Sequence, residues 1–298
     1  MTQEATNLSD DTQGARRVTE GQRFRRVFFS RKVVVFGLVI ITILLLTAIF
    51  APWLARYDPY KQNLREVLQS PSAQHWLGTD TIGRDVLSRV IYGTRNSLLV
   101  GVVALGIASI IGMSLGLIAG YFGGWVGNII MRMIDAMMCF PMILMALVIA
   151  ALLGSGLFNV MIALGIALIP GYARLMFGQV ISIKENDYIV AEKSLGARSL
   201  RIMLLHIFPN CMPALIVLIT MQLGSAILTE AGLSFLGVGI QPPAAAWGSM
   251  VSDGRQYLLS NPILSFAPGI AIMLTVFSFN MVGDGLRDAL DPRLRGTI

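Results

Sequence analysis

Few side chains in this 298-residue chain could carry chemistry, and their spacing decides which kind. The stretch GMSLG, residues 112–116, has the spacing of a nucleophilic serine on a strand-to-helix turn. That chemistry needs a base and an acid converging on the hydroxyl. Histidine occurs only at His75 and His206, and Ser114 sits inside an unbroken apolar run. The same letters give Gly112, Gly116 and Gly120, two overlapping GxxxG steps of the kind that let membrane helices approach closely. Packing is therefore the expected role. The two cysteines, Cys139 and Cys211, lie in or beside apolar runs at a spacing that suits no metal site. They read as small apolar packing residues. No GxxxxGK[ST] occurs, so the chain has no P-loop with which to cradle nucleotide phosphates. No catalytic, cofactor or metal-ligating set is expected.

What remains is a charged island, YIVAEKSLGARSLRIMLLHIFP, residues 188–209. It gathers Glu192, Lys193, Arg198, Arg201 and His206 in a chain that is only 13% charged. Its ends are marked as a helix: Asp187 can cap the start, with Glu185 also near the positive end of the dipole. Gly196 suits the position just past the C-terminus, and Ser199 can begin a second helix. Ile189, Val190, Ala191 and Leu195 would form an apolar side, with Tyr188 and Glu192 four apart on another. Such a helix can lie on a lipid surface. It can also dock a partner, and it exceeds the roughly 2–8 residues of an ordinary helix connection.

The elements that flank the island are membrane spans. The chain is 55% hydrophobic, with mean hydropathy +0.69. Several charge-free runs reach the roughly 20 residues that cross about 30 Å of hydrocarbon as a helix. Six spans are expected, near 33–54, 97–121, 137–153, 160–178, 209–229 and 264–282. Pro141 and Pro170 should kink the third and fourth. Residues 121–127 and 154–159 supply turns, and 231–252 is broken too often by Gly and Pro to be a span. Residues 1–32 form an N-terminal tail rich in Arg and Lys (Arg16, Arg17, Arg23, Arg25, Arg26, Arg31, Lys32), which marks the cytoplasmic side. RRVFFSRK resembles a twin-arginine signal, but the apolar run behind it is too long for one and further spans follow.

Six spans place the island and the basic tail 284–298 in the cytoplasm, and the 55–96 loop and the irregular segment 230–263 outside. The positive balance has no base-reading motif beside it, so nucleic acid is excluded as a partner. Lipid is the expected surrounding. Arg132 and Asp135 share a face near the inner end of the third span and Arg174 lies near the exit of the fourth; all three read as anchors. Glu230, at the outer end of the fifth, is the candidate for lining a path. Asp284, Arg287, Asp288 and Asp291 should follow the last helix and bind neighbouring loops.

The passage YIVAEKSLGARSLRIMLLHIFPN resembles the EAA loop of binding-protein-dependent ABC importer permeases. Three more stretches are similar to the C-type dipeptide, oligopeptide and nickel permeases: LGTDTIGRDVLSRVIYGTRNSL, LSFLGVGIQPPAAAWGSM and FNMVGDGLRDALDPRLR. They lie in order from about residue 77 to 295. The resemblance implies an all-α, six-span type I importer permease with a core at 97–283 and a coupling helix at about 187–200. It implies that Tyr188, Val190, Ala191, Glu192, Lys193, Gly196, Ala197 and Arg198 dock a cytoplasmic ATPase. It further implies a second, paralogous permease chain, two ATPase subunits that bind ATP and Mg, and an external solute-binding protein. The cargo would be di- or oligopeptides, or alternatively nickel chelates, glutathione or opines. The chain departs from the pattern twice. Val190 holds the motif's Glu position six residues before Gly196, with Ala191 and Glu192 at its two Ala positions. Ala245 and Ala246 stand where many relatives have Pro-Glu before Trp-Gly. A secondary transporter would need inverted repeats and buried coupling carboxylates, and neither is evident.

Overall fold

The computed structural model describes residues 20–290. Arg16, Arg17, Asp291, Arg293 and Arg295 lie outside them. Among the described residues the fold is helical, relieved by one isolated bridge between Thr79 and Asp85. Five helical runs are long and apolar enough to cross a membrane, and a bent pair brings the number to six. This agrees with the expected spans in number, while several boundaries move.

The first span is α2 (Lys32–Ile49), extended by the short α3 (Ala51–Leu54). Before it lies α1 (Glu20–Ser30), within the segment expected to be a tail. α1 is held by Phe24 and Phe28, which pack with Val34, Val282, Leu286 and Ala289. α2 touches the rest of the bundle at Gly37, where an added Cβ would sit 3.0 Å from the Ser278 carbonyl oxygen. Most of its other side chains face outward, as lipid-facing apolar residues do.

α4 (Val86–Phe122) starts eleven residues earlier than the apolar pattern suggests. Its first turns carry Arg89 and Arg95, which hid the helix from a hydropathy reading. Arg89 is 1% exposed and donates to the Pro59 carbonyl at 3.1 Å. Asp85 caps the start by accepting from Ser88 N–H at 2.8 Å, while His75 Nδ1 lies 2.8 Å from its other oxygen. Charge here is buried with partners, the usual condition for keeping it inside. α4 ends at the expected pair Gly123–Gly124, both with positive φ.

The third span is not one kinked helix over 137–153. α5 (Gly124–Met138) and α6 (Met142–Leu153) meet at a 90° bend. Pro141 has no N–H and an extended ψ of 129°, so it begins α6 instead of continuing α5. α7 (Leu157–Lys184) runs through Pro170 and beyond the expected end at 178. It lies against α4, where Gly112, Gly116 and Gly120 take the packing role read from their spacing. The helix interfaces are filled by small and apolar side chains such as Ala108, Ala167, Tyr172 and Ala226.

α8 (Asp187–Ser194) and α9 (Ser199–Arg201) follow. A π turn at Ile202–Ile207 then leads into α10 (Phe208–Phe235), making one run from Ser199 to Phe235. Pro209 cannot donate to a carbonyl four residues back, and Phe208 N–H reaches Met203, five back, in the wide turn before it. The fifth span is therefore longer at both ends than 209–229, and Glu230 lies within the helix. Residues 236–246 are irregular as expected, followed by the short α11 (Trp247–Gly254). α12 (Ile263–Leu290) continues past 282, so Asp284, Arg287 and Asp288 are on the helix and not after it. Asp288 pairs with Arg31 at 2.8 Å, tying the start of α2 to the end of α12.

Candidate coupling site

The charged island folds as two helices joined at a glycine. Asn186, not Asp187, takes the N-cap, with extended backbone (ψ 143°); Asp187 is the first helical residue, near the positive end of the dipole. Gly196 has φ +78°. The Gly196 N–H donates to the Lys193 carbonyl at 3.0 Å, and the Ala197 N–H donates to the Glu192 carbonyl at 3.1 Å. This pair of bonds is the Schellman ending, which needs a left-handed residue and favours glycine. A Cβ at Gly196 would meet nothing within 4 Å, so the glycine is there for its φ and not for close packing. Arg198 then caps α9 with extended backbone.

The expected apolar side does not form as one face. Ile189 alone is buried, wedged among Met176, Val180, Ile202, Met203, Ile207 and Cys211. Val190, Ala191 and Leu195 face away from the bundle, Leu195 being 85% exposed. Three further contacts fix the other edge of α8, and a fourth ties the end of α7 to α4. Glu192 Oε1 is 3.5 Å from His206 Nε2. Lys193 Nζ stands 5.5 Å over the Tyr121 ring. Asn210 donates to the Tyr188 hydroxyl at 3.4 Å, and Lys184 donates to the Gly120 carbonyl at 3.2 Å. Tyr188, Glu192 and Lys193 are thus positioning groups within this chain, and Ala197 is half-buried beside them.

Val190, Ala191, Gly196 and Arg198 form the outward surface. The sequence reading missed that Leu200, Leu204 and Leu205 extend it. Leu200 lies on α9 and Leu204 and Leu205 on the π turn, and all three are exposed. α8 is thus seated on the bundle through Ile189 while it presents Val190, Ala191 and Leu195 outward.

The distal end is also built on buried polar contacts. Glu230 is fully buried: Ser234 donates to its Oε1 at 2.7 Å, and Ser97 lies 3.5 Å from its Oε2. Ser234 Oγ in turn accepts from the Ile240 N–H at 3.0 Å. Asn96 donates to the Ala245 carbonyl at 2.7 Å, and Trp247 Nε1 to the Val90 carbonyl at 3.0 Å. Ala245 and Ala246, at the end of the irregular segment, are fully buried. Glu230 thus stands beneath the irregular segment, enclosed by this chain's own side chains. Asp135 and Arg174, on α5 and α7, form an ion pair that binds the two helices.

Known proteins resemble this chain in sequence and in fold. Residues 112–296 match the family described as the binding-protein-dependent transport system inner membrane component. Residues 19–71 match the N-terminal TM domain of oligopeptide transport permease C. The dipeptide transport system permease protein DppC of Alkalihalophilus pseudofirmus is 48% identical, over 89% of this chain and 88% of its own length. The probable D,D-dipeptide transport system permease protein DdpC of Escherichia coli is 44% identical, with 87% of each chain covered. The glutathione transport system permease protein GsiD of Escherichia coli is 43% identical, over 92% of this chain and 90% of its own. In three dimensions the chain is similar to one from the inward-facing MetNI methionine ABC transporter, with TM-score 0.57 and 19% identity. That match covers 69% of this chain and 97% of the other. The six-span fold, the matched models and the long relatives together establish that this chain belongs to the family of binding-protein-dependent transport system inner membrane components, the permease subunits of ABC transporters.

Proposed function

We propose that the chain is the membrane subunit of an ATP-driven importer that carries di- or oligopeptides across the bacterial cytoplasmic membrane. In this reading both termini and α8 face the cytoplasm, and residues 55–85 and 236–262 face outward. α8 fits a groove on an ATPase subunit and passes closure of an ATPase pair to α7 and α10, between which Ile189 is wedged. A paralogous permease completes the path, and a solute-binding protein delivers cargo to the outer segments. ATP and Mg belong to the ATPases; this chain supplies no residues for them.

The observation that carries the proposal is the outward surface of α8, apolar yet held on a seated helix. Simple lipid contact would ask for the apolar groups of α8 to face one way, and Ile189 faces opposite to Val190 and Leu195. The peptide cargo is supported by relatives whose names specify dipeptides. Glutathione, itself a tripeptide, is a second reading favoured by the relative named for it. The test is uptake of labelled Ala-Ala, tri-alanine and glutathione by cells whose import depends on this chain. Uptake that is lost with the chain and restored by it identifies the cargo. Unchanged uptake of all three on deletion refutes the peptide reading.

A further inference from the structure

The broken third span leaves a feature that neither coupling nor the outer segment explains. Where α5 turns into α6, a cavity of about 330 Å³ opens among Met137, Met142, Met145, Pro170, Gly171 and Gln222. Ligand sites typically occupy about 300–1,000 Å³, mostly apolar with a few placed polar groups. This cavity has that make-up, with the Gln222 amide as its one polar side chain.

Three features argue that it is more than a packing fault. A span broken inside the membrane is tolerated where it is buried in protein or lines a hydrated cavity. Transporters place solute sites at such discontinuities. The facing helix is continuous but short of one hydrogen bond at the same level: Pro170 withholds an N–H from the carbonyl four residues earlier, and Gly171 adds no side chain. A Cβ at Gly171 would stand 3.9 Å from Gln222 Nε2, so glycine leaves the amide open to the cavity. The wall is methionine, whose unbranched, polarizable chain adapts to differing shapes. One turn along the same helices, Asp135 and Arg174 present a half-exposed pair of opposite charges, 40% and 50% exposed respectively. A zwitterionic peptide offers an apolar side chain, amide groups and two terminal charges of opposite sign. It complements all three elements.

We infer that this cavity is a peptide subsite of the permease itself. It accepts one apolar side chain of the cargo, with Gln222 meeting a peptide amide and the Asp135–Arg174 pair facing the cargo's charges. The inference rests on the proposed peptide cargo.

The test uses the complete importer in proteoliposomes, with its ATPases and binding protein, importing Ala-Ala and Phe-Phe. Met145→Trp should cut Phe-Phe turnover by about tenfold or more while Ala-Ala stays within about twofold, since a pocket discriminates by the volume it offers. Half-saturation by loaded binding protein should not move, because that protein meets the outer segments. Equal loss for both peptides, or none, overturns the subsite. Should the tryptophan variant fail to assemble, Gln222→Leu decides: a several-fold fall in turnover for both peptides supports it, and unchanged turnover overturns it. Met145→Cys, in a Cys139→Ala background, should react with a maleimide at rest and be protected by peptide during turnover. A cysteine shielded at all times would assign the cavity to the partner permease and overturn the proposal. If the unmodified importer carries neither peptide, the cargo reading fails at that first step, and the peptide is removed as occupant with it.

Discussion

Gly112 offers the sharpest test of how the bundle is assembled. An alanine Cβ there would stand 2.7 Å from both the Ile169 carbonyl oxygen and Tyr172 Cβ, and 3.1 Å from Ala173 N. Ordinary van der Waals contact begins at 3.4 Å, so α4 and α7 must part by several tenths of an ångström or Tyr172 must shift. Tyr172 is itself fully buried and has no open space to enter. Overpacking of this kind costs about 1–3 kcal/mol. Alanine also gains about 0.8–1 kcal/mol over glycine in a helix interior, which partly hides the clash. Gly106, on the same helix, has nothing within 4 Å of its added Cβ and supplies the control. Both substitutions share the helix gain, so the difference between them isolates the packing cost, about 1–3 kcal/mol. Cys211 is fully buried and Cys139 exposed. In a Cys139→Ala background, a thiol-reactive dye therefore reports unfolding of the purified permease through Cys211 alone. Gly112→Ala should unfold at a clearly lower temperature than Gly106→Ala. Equal midpoints would mean that α4 and α7 do not cross so closely.

The outer segment and the coupling turn give three more predictions. Trp247 is fully buried over Gly93, and Trp247→Ala should destabilise by about 3–5 kcal/mol. Trp247→Phe should cost nearer 1 kcal/mol, about the worth of the lost Val90 hydrogen bond, and limited proteolysis of residues 236–262 separates the two. Asp85→Ala removes the cap of α4, worth about 0.5–2 kcal/mol, and strips buried His75 of its partner at about 1–3 kcal/mol more. Thermal unfolding should show a loss larger than the cap alone. Gly196→Val forces a branched residue into the left-handed region at about 1–2 kcal/mol. It should lower uptake and stimulated ATP hydrolysis together while the complex still assembles; wild-type levels of both would show that the turn does not couple.

Much of this architecture was legible because the bilayer imposes a simple rule: about 20 apolar residues per span. The GxxxG steps of α4, the Gly123–Gly124 turn and the helix–glycine–helix form of the island follow directly from residue type. What stayed hidden was charge that the fold buries with partners. Arg89 and Asp85 made the first turns of α4 look like loop, although their hydrogen bonds carry them inside. The end of α10 was cut short for the same reason, at Glu230, which is buried against Ser234; α12 was cut short at Asp284, an exposed charge that a hydropathy reading takes for the end of a span. Pro141 read as a kink because sequence cannot distinguish a bend that a helix survives from one that ends it. At the island, helical spacing placed Val190, Leu195 and Ile189 together, whereas Ile189 alone packs into the cluster between α7 and α10 and the others are exposed. The exposed surface was therefore visible as a segment but not as a face.

The central claim is that this outward face meets an ATPase and not lipid. A photo-crosslinking amino acid at Leu195, 85% exposed on this chain, tests it most directly in the assembled importer. The account predicts a covalent adduct with an ATPase subunit, formed in intact membranes. Adducts with lipid alone, from a complex that still contains its ATPases, would contradict it and make α8 a helix of the membrane surface.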